Sequence, residues 1–598
     1  MDKEQFDRKF LAGLNSQQRE AVRAVEGPVL LLATPGSGKT TVLVIRLGYM
    51  IECCGIDPRS ILTMTYTRAA TMDMRLRFAE YFGEGLAGQL QFRTINGVSA
   101  VIIRKVGKQH GREPFVLLEE GERNRILRSV WQTQYREYPE ESDIREAGTA
   151  ITYIKNMMLS AEEIGKLKSH VDNLPAFYSR YQEELRKRRA MDYDDQMRYA
   201  LRLLRRFPDV LEDFRKRYRY LCVDEAQDSS RLQHEIIRVL ASGDRNLFMV
   251  GDEDQSIYAF RAAYPEALLG FNQFFPEARV LLMEENYRST PEIIRAANRF
   301  IARSDRHREK TIVPTRGPGA PVRILPVWGR EGQFDYLLKA APGWNRQTAV
   351  LFRNNDSALP LIERFEAAGI SYNCRSFEDL FFTHRVVNDI VDCLRFSLDS
   401  KDTECFLRIY CKLGACISKK EAQAAANTAA ATGKAPLAAL LAQRSLRPHT
   451  REMVRTLQRD FDMMRKDTAG RALQRIWERM HYGRYVERHG MDTGKYSVLC
   501  MLAKGVPDVR AFLEKLEGLR KTITEHQNAP KNKIILSTIH SSKGLEYDRV
   551  FLLDMTDGII PSKTMHETEE ERREYEEERR MFYVAMTRAK DELTMFRM

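Results

Sequence analysis

Residues 29–41 read VLLLATPGSGKTT: the aliphatic run Val29 to Leu32 passes directly into a loop bearing Gly36 and Gly38, and then into Lys39, Thr40 and Thr41. A short, wholly apolar run bounded by such a loop reads as a buried strand entering a helix start. Glycines without a Cβ let successive backbone N–H groups converge on phosphate oxygens. Lys39 can then reach the terminal phosphates, and Thr40 offers a hydroxyl to Mg²⁺. The stretch therefore predicts an α/β core that binds a nucleoside triphosphate. Ala33 stands where the generic pattern has Gly, and Pro35 fixes φ in mid-loop, so the string alone also admits a plain glycine-rich turn.

The rest of the chain narrows the class. Its 598 residues imply roughly three to five compact units. Hydrophobic residues make up 43% and charged residues 30%, and no apolar run approaches the ~18 residues of a membrane span, which excludes a membrane protein. The N-terminus MDKEQFDRKF lacks an apolar core of the signal-peptide kind. Nine cysteines, an odd number, fit a reducing compartment rather than a disulfide framework, and a cytoplasmic location is expected. Cys393, Cys405, Cys411 and Cys416 lie close together but contain no C-x-x-C pair, so a metal site there is the minor reading. A net charge of +12 points to a polyanionic partner, with nucleic acid first.

Strand-like runs followed by helical patterns recur at 28–45, 60–80, 219–240, 246–260, 348–368 and 534–556. This alternation predicts parallel α/β cores. The first four lie before 277 and the last two after it, with the Pro/Gly-rich PTRGPGAPV at 314–322 near the join. Two α/β domains are thus expected, interrupted by helical segments at about 105–191 and 382–524. Within the second, EAQAAANTAAATGKAPLAALLAQ at 421–443 reads either as two helices split near Thr432-Gly433 or as a flexible bridge. The charged run HETEEERREYEEERR at 566–580 reads as a solvated helix supported by i,i+4 pairs.

Two strand ends carry acid groups. YRYLCVDEAQD at 218–228 places Asp224 and Glu225 at the carboxyl end of an apolar strand, where α/β sheets bind ligands. Asp224 suits Mg²⁺, and Glu225 suits orienting or deprotonating the water that attacks a γ-phosphate. MVGDEDQSIYAFR at 249–261 ends another strand in Asp252, Asp254 and Gln255, followed at once by Tyr258, Phe260 and Arg261. A carboxamide there can report nucleotide state, while aromatics beside a cation make a stacking platform for unpaired bases or, equally, core residues.

With these segments in place the chain resembles the UvrD/Rep/PcrA-type superfamily 1A DNA helicases over nearly its whole length. LNSQQREAV at 14–22 resembles the Q motif, ILTMTYTRAATMDMR at 61–75 motif Ia, and FRTINGVSA at 92–100 the motif Ib region. MDYDDQM at 191–197 resembles the segment that closes the first insertion, and VDEAQD and GDEDQSIYAFRAA are similar to motifs II and III. EENYRST at 284–290, STIHSSKGLEYDRVFLLDM at 537–555 and YVAMTRAKDEL at 583–593 resemble motifs IV, V and VI.

The resemblance implies two RecA-like parallel-sheet P-loop motor domains, each with a mostly helical insertion. The first would comprise 1–104 and 192–277 with insertion 105–191, and the second 278–381 and 525–598 with insertion 382–524. It implies ATP and Mg²⁺, with Thr34, Pro35, Gly36, Ser37, Gly38, Lys39, Thr40 and Thr41 around the phosphates and Thr40 and Asp224 on the metal. Gln18 would read adenine, Tyr287 stack on it, and Glu546 belong to the nucleotide site. Catalysis would rest on Lys39, Glu225, Gln255, Arg288 and the arginine finger Arg588. Single-stranded DNA and strand–duplex junctions would meet Tyr66, Asn96, Tyr258, Phe260, Arg261, Asn355 and His540, with 3′-to-5′ movement and duplex unwinding in repair or replication.

Some positions depart from the family pattern. Thr41 replaces an Arg that stacks on adenine, Asn96 replaces His, and Phe260 replaces Trp, changes expected to relax base selectivity and weaken strand grip. No Gly-Ile-Gly duplex-contacting turn is present; the nearest string is KLGACIS at 412–418. No nuclease domain is expected. A translocase that moves without opening duplex, a non-enzymatic binding module and an RNA preference are therefore the competing readings.

Overall fold

The computed structural model of the chain describes residues 1–111, 113, 115–243, 246–304, 308, 310–375, 380–527, 532–562 and 568–598. The first six-stranded sheet runs Gln91–Thr94, Ile61–Thr65, Tyr220–Val223, Asn246–Gly251, Val29–Ala33, Arg279–Met283 in spatial order, and every pairing is parallel. All five residues of Val29–Ala33 are buried because both sheet faces are covered. Leu30 and Leu32 enter the core on one face, while Val29, Leu31 and Ala33 enter the core on the other. The period of two along the strand thus builds two separate cores.

The second six-stranded sheet runs Arg323–Pro326, Ala589–Arg597, Tyr547–Met555, Thr348–Phe352, Ile534–Thr538, Asn373–Arg375, again all parallel. Here Ala349 and Leu351 pack into one core, and Val350 and Phe352 into another. The α/β class and the two parallel halves expected from the alternating runs are both present.

The halves do not divide where the sequence suggested. Residues from 278 onward were assigned to the second domain, yet Arg279–Met283 pairs with Val29–Ala33, so the first sheet extends to Met283. The strand is the sixth of a sheet whose edge it completes, and its register sets Val280 beside Leu30. The expected edge of the first insertion also falls inside one continuous helix, Ile95–His110.

The two insertions differ in how they are supported. The first is helical from Glu120–Tyr135 to Leu174–Lys187, and encloses its own core around Ile151, Phe177 and Tyr181. It is pinned to the first lobe by Lys155, whose buried ammonium lies 2.6 Å from Asp192 and 2.7 Å from Asp195. That explains the acid-rich 191–197 segment: the acids compensate a cation that burial alone would not tolerate. The second insertion shares one continuous core with the second sheet, from Val350 and Phe551 through Phe396, Leu473 and Leu499. The Ala-rich stretch forms two helices, Lys419–Thr432 and Pro436–Leu441, divided by Gly433 at φ 69°. Cys393 and Cys405 are buried in this insertion, whereas Cys411 and Cys416 are exposed.

The charged run corrects another expectation. Its first two residues, 566 and 567, lie outside the described residues, and the remainder begins the helix Glu569–Met586. This helix is not simply solvated, since Glu576, Glu578 and Arg580 are buried. Glu577 accepts from the Ala259 N–H at 2.8 Å and Arg580 donates to the Ser256 carbonyl at 2.8 Å, both in the first lobe. Charges on a helix laid along a lobe–lobe seam find partners there instead of water. Among the described residues, no helix is long and apolar enough to cross a membrane.

Candidate active site and nucleic-acid interface

The glycine loop and the segments that begin at Tyr66, Ile95, Asp224, Asp252 and Glu284 all follow the carboxyl ends of parallel strands, so the sheet gathers them at one rim. The glycine loop follows Val29–Ala33, and helix Lys39–Glu52 starts from Gly38. Gly36 and Gly38 adopt φ of 71° and 85°, conformations closed to most side chains. Thr34 donates from its hydroxyl to the Met283 carbonyl at 3.0 Å, and Ser37 to the Thr34 carbonyl at 2.7 Å, which fixes the loop's curvature on both sides of Pro35. Thr40 and Thr41 open the helix, half-buried, at its positive end.

Gln18 is held against this loop. Its Nε2 donates to the Ser37 carbonyl at 2.9 Å, while its Oε1 accepts from the Asn15 N–H at 3.0 Å in a capping box. The helix that carries it, Ser16–Arg23, is tied down by Arg46 of the loop's own helix. The Arg46 guanidinium donates to the carbonyls of Ala21 at 3.3 Å and Val22 at 3.4 Å, and lies 4.0 Å from the Phe248 ring centroid.

Beside the loop stand the acids. Lys39 Nζ lies 3.9 Å from the Glu225 carboxylate. Burial opposes ionisation of Glu225, but Lys39 and Lys543 outweigh it and hold its carboxyl below the usual range. Asp224 is pushed up to about 7 by burial and by the adjacent Glu225 charge. A carboxylate and a hydroxyl, as Asp224 and Thr40 carry, are oxygen donors of the kind that Mg²⁺ takes. Gln255 donates through Nε2 to Asp252. Gln227 links the two acid segments, donating to Glu225 and accepting from the Asp252 N–H at 3.1 Å.

The segment Glu285–Arg288 carries the cleft across to the second lobe. Asn286 is fully buried: its Nδ2 donates to the Pro35 carbonyl, and its Oδ1 accepts from the N–H groups of Arg288 at 2.9 Å and Ser289 at 2.7 Å. Tyr287 is 45% exposed, with its hydroxyl accepting from Asn15 at 2.9 Å, so its ring stands free beside the Gln18 helix. Arg288 pairs with Glu546 at 2.8 Å, and Glu546 also meets Lys590 at 2.9 Å. Arg588 is turned inward on its own lobe. It donates to the carbonyls of Val584 at 2.9 Å and Leu545 at 3.1 Å, and its burial lowers the guanidinium to about 9.

A second cluster borders the same seam. Tyr66 and Tyr258 stack at 6.2 Å and 14°, and Phe260 meets His540 edge-on at 5.4 Å and 88°. Arg261 lies 5.7 Å from the Tyr258 ring and 5.4 Å from Phe260. Phe260 is 45% exposed, which removes it from the core and leaves an accessible aromatic face. His540 is neutral: burial, with Arg353 nearby, pushes it down to about 3, and its Nε2 donates to the Ile257 carbonyl at 3.2 Å. Asn96 begins the helix after Gln91–Thr94, next to the strand that leads to Tyr66, and Asn355 follows Thr348–Phe352, next to the strand that leads to His540. The Oδ1 atoms of Asn96 and Asn355 are enclosed and accept no hydrogen bond.

Comparison with known proteins agrees with this geometry. Residues 14–276 match the UvrD/REP helicase N-terminal domain, and residues 281–447 and 443–598 match the UvrD-like helicase C-terminal domain. The chain belongs to the UvrD/Rep helicase family. Among its relatives, YjcD of Bacillus subtilis is 30% identical over 606 residues, spanning 97% of this chain and 78% of YjcD. The ATP-dependent DNA helicase PcrA of Bacillus subtilis is 29% identical, over 98% of this chain and 82% of PcrA. PcrA of Staphylococcus epidermidis is 27% identical, over 97% and 83%.

Set among UvrD/Rep proteins, the chain also displays residues that its motifs did not single out. Asn286 lay inside the EENYRST string, Gln227 inside VDEAQD and Lys543 inside the 537–555 string, without assigned roles. Lys543 pairs with Asp228 at 2.6 Å, donates to the Gln255 carbonyl at 2.7 Å and stands 5.0 Å from the Tyr258 ring centroid. A basic residue flanked by Ser and Gly carries no sequence signal of such a position. Only burial and its partners mark it.

Proposed function

We propose that this chain is an ATP-driven DNA motor that hydrolyses ATP between its two lobes, moves 3′-to-5′ along single-stranded DNA and opens duplex at strand–duplex junctions, in cytoplasmic DNA repair or replication. The observation that carries this reading is Lys543. One cation of the second lobe touches the segment bearing Glu225, the backbone of Gln255 and the face of Tyr258. Nucleotide cleft and aromatic platform therefore meet at one ion pair, and a change in lobe spacing reaches both.

In this reading Glu225 orients the attacking water, Lys39 and Arg288 hold the terminal phosphate, and Gln255 registers its presence. Thr40 and Asp224 would hold Mg²⁺, which would supply charge neutralisation on the phosphates. Gln18, Tyr287 and Asn15 receive the base. Arg588 has to leave the Val584 and Leu545 carbonyls to meet a phosphate, so closure of the cleft exchanges internal hydrogen bonds for external ones. Tyr66, Tyr258, Phe260, Arg261 and His540 receive the strand, with Asn96 and Asn355 as flanking acceptors or donors.

A second reading, translocation without duplex opening, is favoured by the 412–418 segment. Leu413, Ala415 and Ile417 are buried, and a Cβ on Gly414 would lie 2.6 Å from His481, so the turn is packed inward. Hydrolysis measured alone, with single-stranded DNA and with single-stranded RNA, followed by opening of duplexes with a 3′ or a 5′ tail, separates the readings. Stimulation by DNA with opening of the 3′-tailed duplex is the expected result. Stimulation without opening selects the translocase, and no stimulation by either polymer overturns the motor.

A further inference from the structure

Directly after strand Asn246–Gly251 the first lobe buries three consecutive acids, Asp252, Glu253 and Asp254, none more than 1% exposed. Buried carboxylates need a compensating charge. It arrives from the second-lobe side: Lys310 places its ammonium 2.6 Å from Asp252, 2.9 Å from Glu253 and 3.0 Å from Asp254. Burial opposes the charge on Lys310, but the three acids outweigh it and hold the ammonium well above its ordinary range.

The partners are divided in an informative way. Asp252 accepts from Lys310 on Oδ1 and from the Gln255 carboxamide on Oδ2. Its own N–H donates to Gln227, which donates to Glu225, which faces Lys39. One chain of contacts thus leads from Lys310 to the nucleotide loop, with Gln255 hanging from its middle. Lys310 is anchored outside the first lobe. Ile312 packs in the core that holds Val550 and Met581, and Val313–Pro314 pairs with Glu285–Asn286, the strand that precedes Arg288. Arg308 reinforces the dock, its N–H donating to Glu253 at 2.9 Å.

We propose that Lys310 is a positioning residue for ATP hydrolysis: by fixing Asp252 it sets the direction of the Gln255 carboxamide, and it makes that direction depend on the place of the second lobe. Lys310 touches no substrate; it acts through Asp252 and Gln255, and the inference rests on the role given to Gln255 above. Without the ammonium, Asp252 Oδ1 keeps the Asp254 N–H at 3.2 Å, but Asp252, Glu253 and Asp254 lose the cation they share, and the repulsion among them loosens the Asp252 carboxylate that aims the Gln255 carboxamide.

The test is steady-state ATP hydrolysis by the full chain with saturating single-stranded DNA. Lys310→Met should lower kcat by about tenfold or more while the KM for ATP stays within about threefold, Lys310→Arg should recover most of the loss, and Lys310→Met should add little to Gln255→Ala. Retained kcat with a lowered melting temperature, or additivity with Gln255→Ala, would overturn the assignment and leave Lys310 structural. Should Lys310→Met fail to fold, the same substitution in a Glu253→Gln/Asp254→Asn parent leaves fewer bare charges, and the fall in kcat relative to that parent is still expected. No fall relative to that parent overturns it. Absence of DNA stimulation in the unsubstituted chain defeats the motor reading first, and is read from a different sample.

Discussion

Tyr258 and His540 hold the two lobes together by reciprocal bonds: the Tyr258 hydroxyl donates to the His540 carbonyl at 3.3 Å, and the His540 ring donates to the carbonyl of Ile257 at 3.2 Å. Tyr258 follows the third segment of the nucleotide cleft, and His540 lies two residues after strand Ile534–Thr538 of the other sheet. A strand lying on this cluster would therefore press on the same joint that nucleotide closure moves.

Phe260 is the exposed member of that cluster. Phe260→Ala removes a base-sized face at a cost of roughly 1–3 kcal/mol, so the single-stranded DNA concentration for half-maximal stimulation of hydrolysis should rise by about 5- to 150-fold. The melting temperature should hardly move, since 45% of the residue is already in solvent. An unchanged half-saturation point would remove Phe260 from the strand path.

Glu225 offers a sharper contrast. Glu225→Gln keeps the shape and the bond with Gln227 but cannot accept a proton, and hydrolysis should drop by roughly 10²- to 10⁴-fold. Binding of a fluorescent ATP analogue should persist, because Lys39 and the loop remain. Equal loss of binding and turnover would show that the carboxylate serves Lys39 rather than water.

Gly36 is constrained twice over. A Cβ there would lie 2.7 Å from Asn286 Nδ2 and 2.8 Å from Arg288 Cβ, at a φ of +71°. Gly433→Ala, at φ +69° with nothing within 4 Å, isolates the backbone strain alone. Gly433→Ala should cost about 1 kcal/mol, whereas Gly36→Ala should cost about 2–4 kcal/mol and weaken ATP binding as well. Equal effects in thermal melts would mean that the contact with the 285–288 segment yields freely.

His234, on the helix after Asp228, is half-buried and has an enclosed Nε2 without a hydrogen-bond partner. Burial pushes the imidazole down from 6.5 to about 4, so the fold keeps it neutral while the unfolded chain binds a proton. Its contribution is complete above pH 6.5 and is lost as pH falls toward about 4. Over that window the chain should lose roughly 1–3 kcal/mol more than the His234→Gln variant, discounted for partial solvent exposure of the residue. Parallel acid melts of the two would contradict this.

The sequence by itself determined the local chemistry: which strand would enter a glycine loop, that Asp224 and Glu225 would end a strand, and that Tyr258, Phe260 and Arg261 would follow Gln255 closely. Those are short-range matters, decided by apolar runs, by glycine's freedom at positive φ and by the period of a strand. It also placed the four-residue neighbourhood of Tyr287 and Arg288 without revealing that Asn286 between the acids and the ring fastens the glycine loop.

Tertiary structure alone decided the pairings. Arg279–Met283 falls within the span 278–381 expected to belong to the second domain, yet the open edge of Val29–Ala33 recruits it, and edge pairing is a long-range choice with no local signal. The acids of 566–580 look solvated on a helical wheel, but the helix lies along the seam and trades water for Ser256 and Ala259. Lys310 and Lys543 are two lysines among 95 Lys and Arg residues until burial gives the first three acids to answer and the second one. The cost of burying a charge depends on every group that surrounds it, and those groups come from segments far apart in the chain.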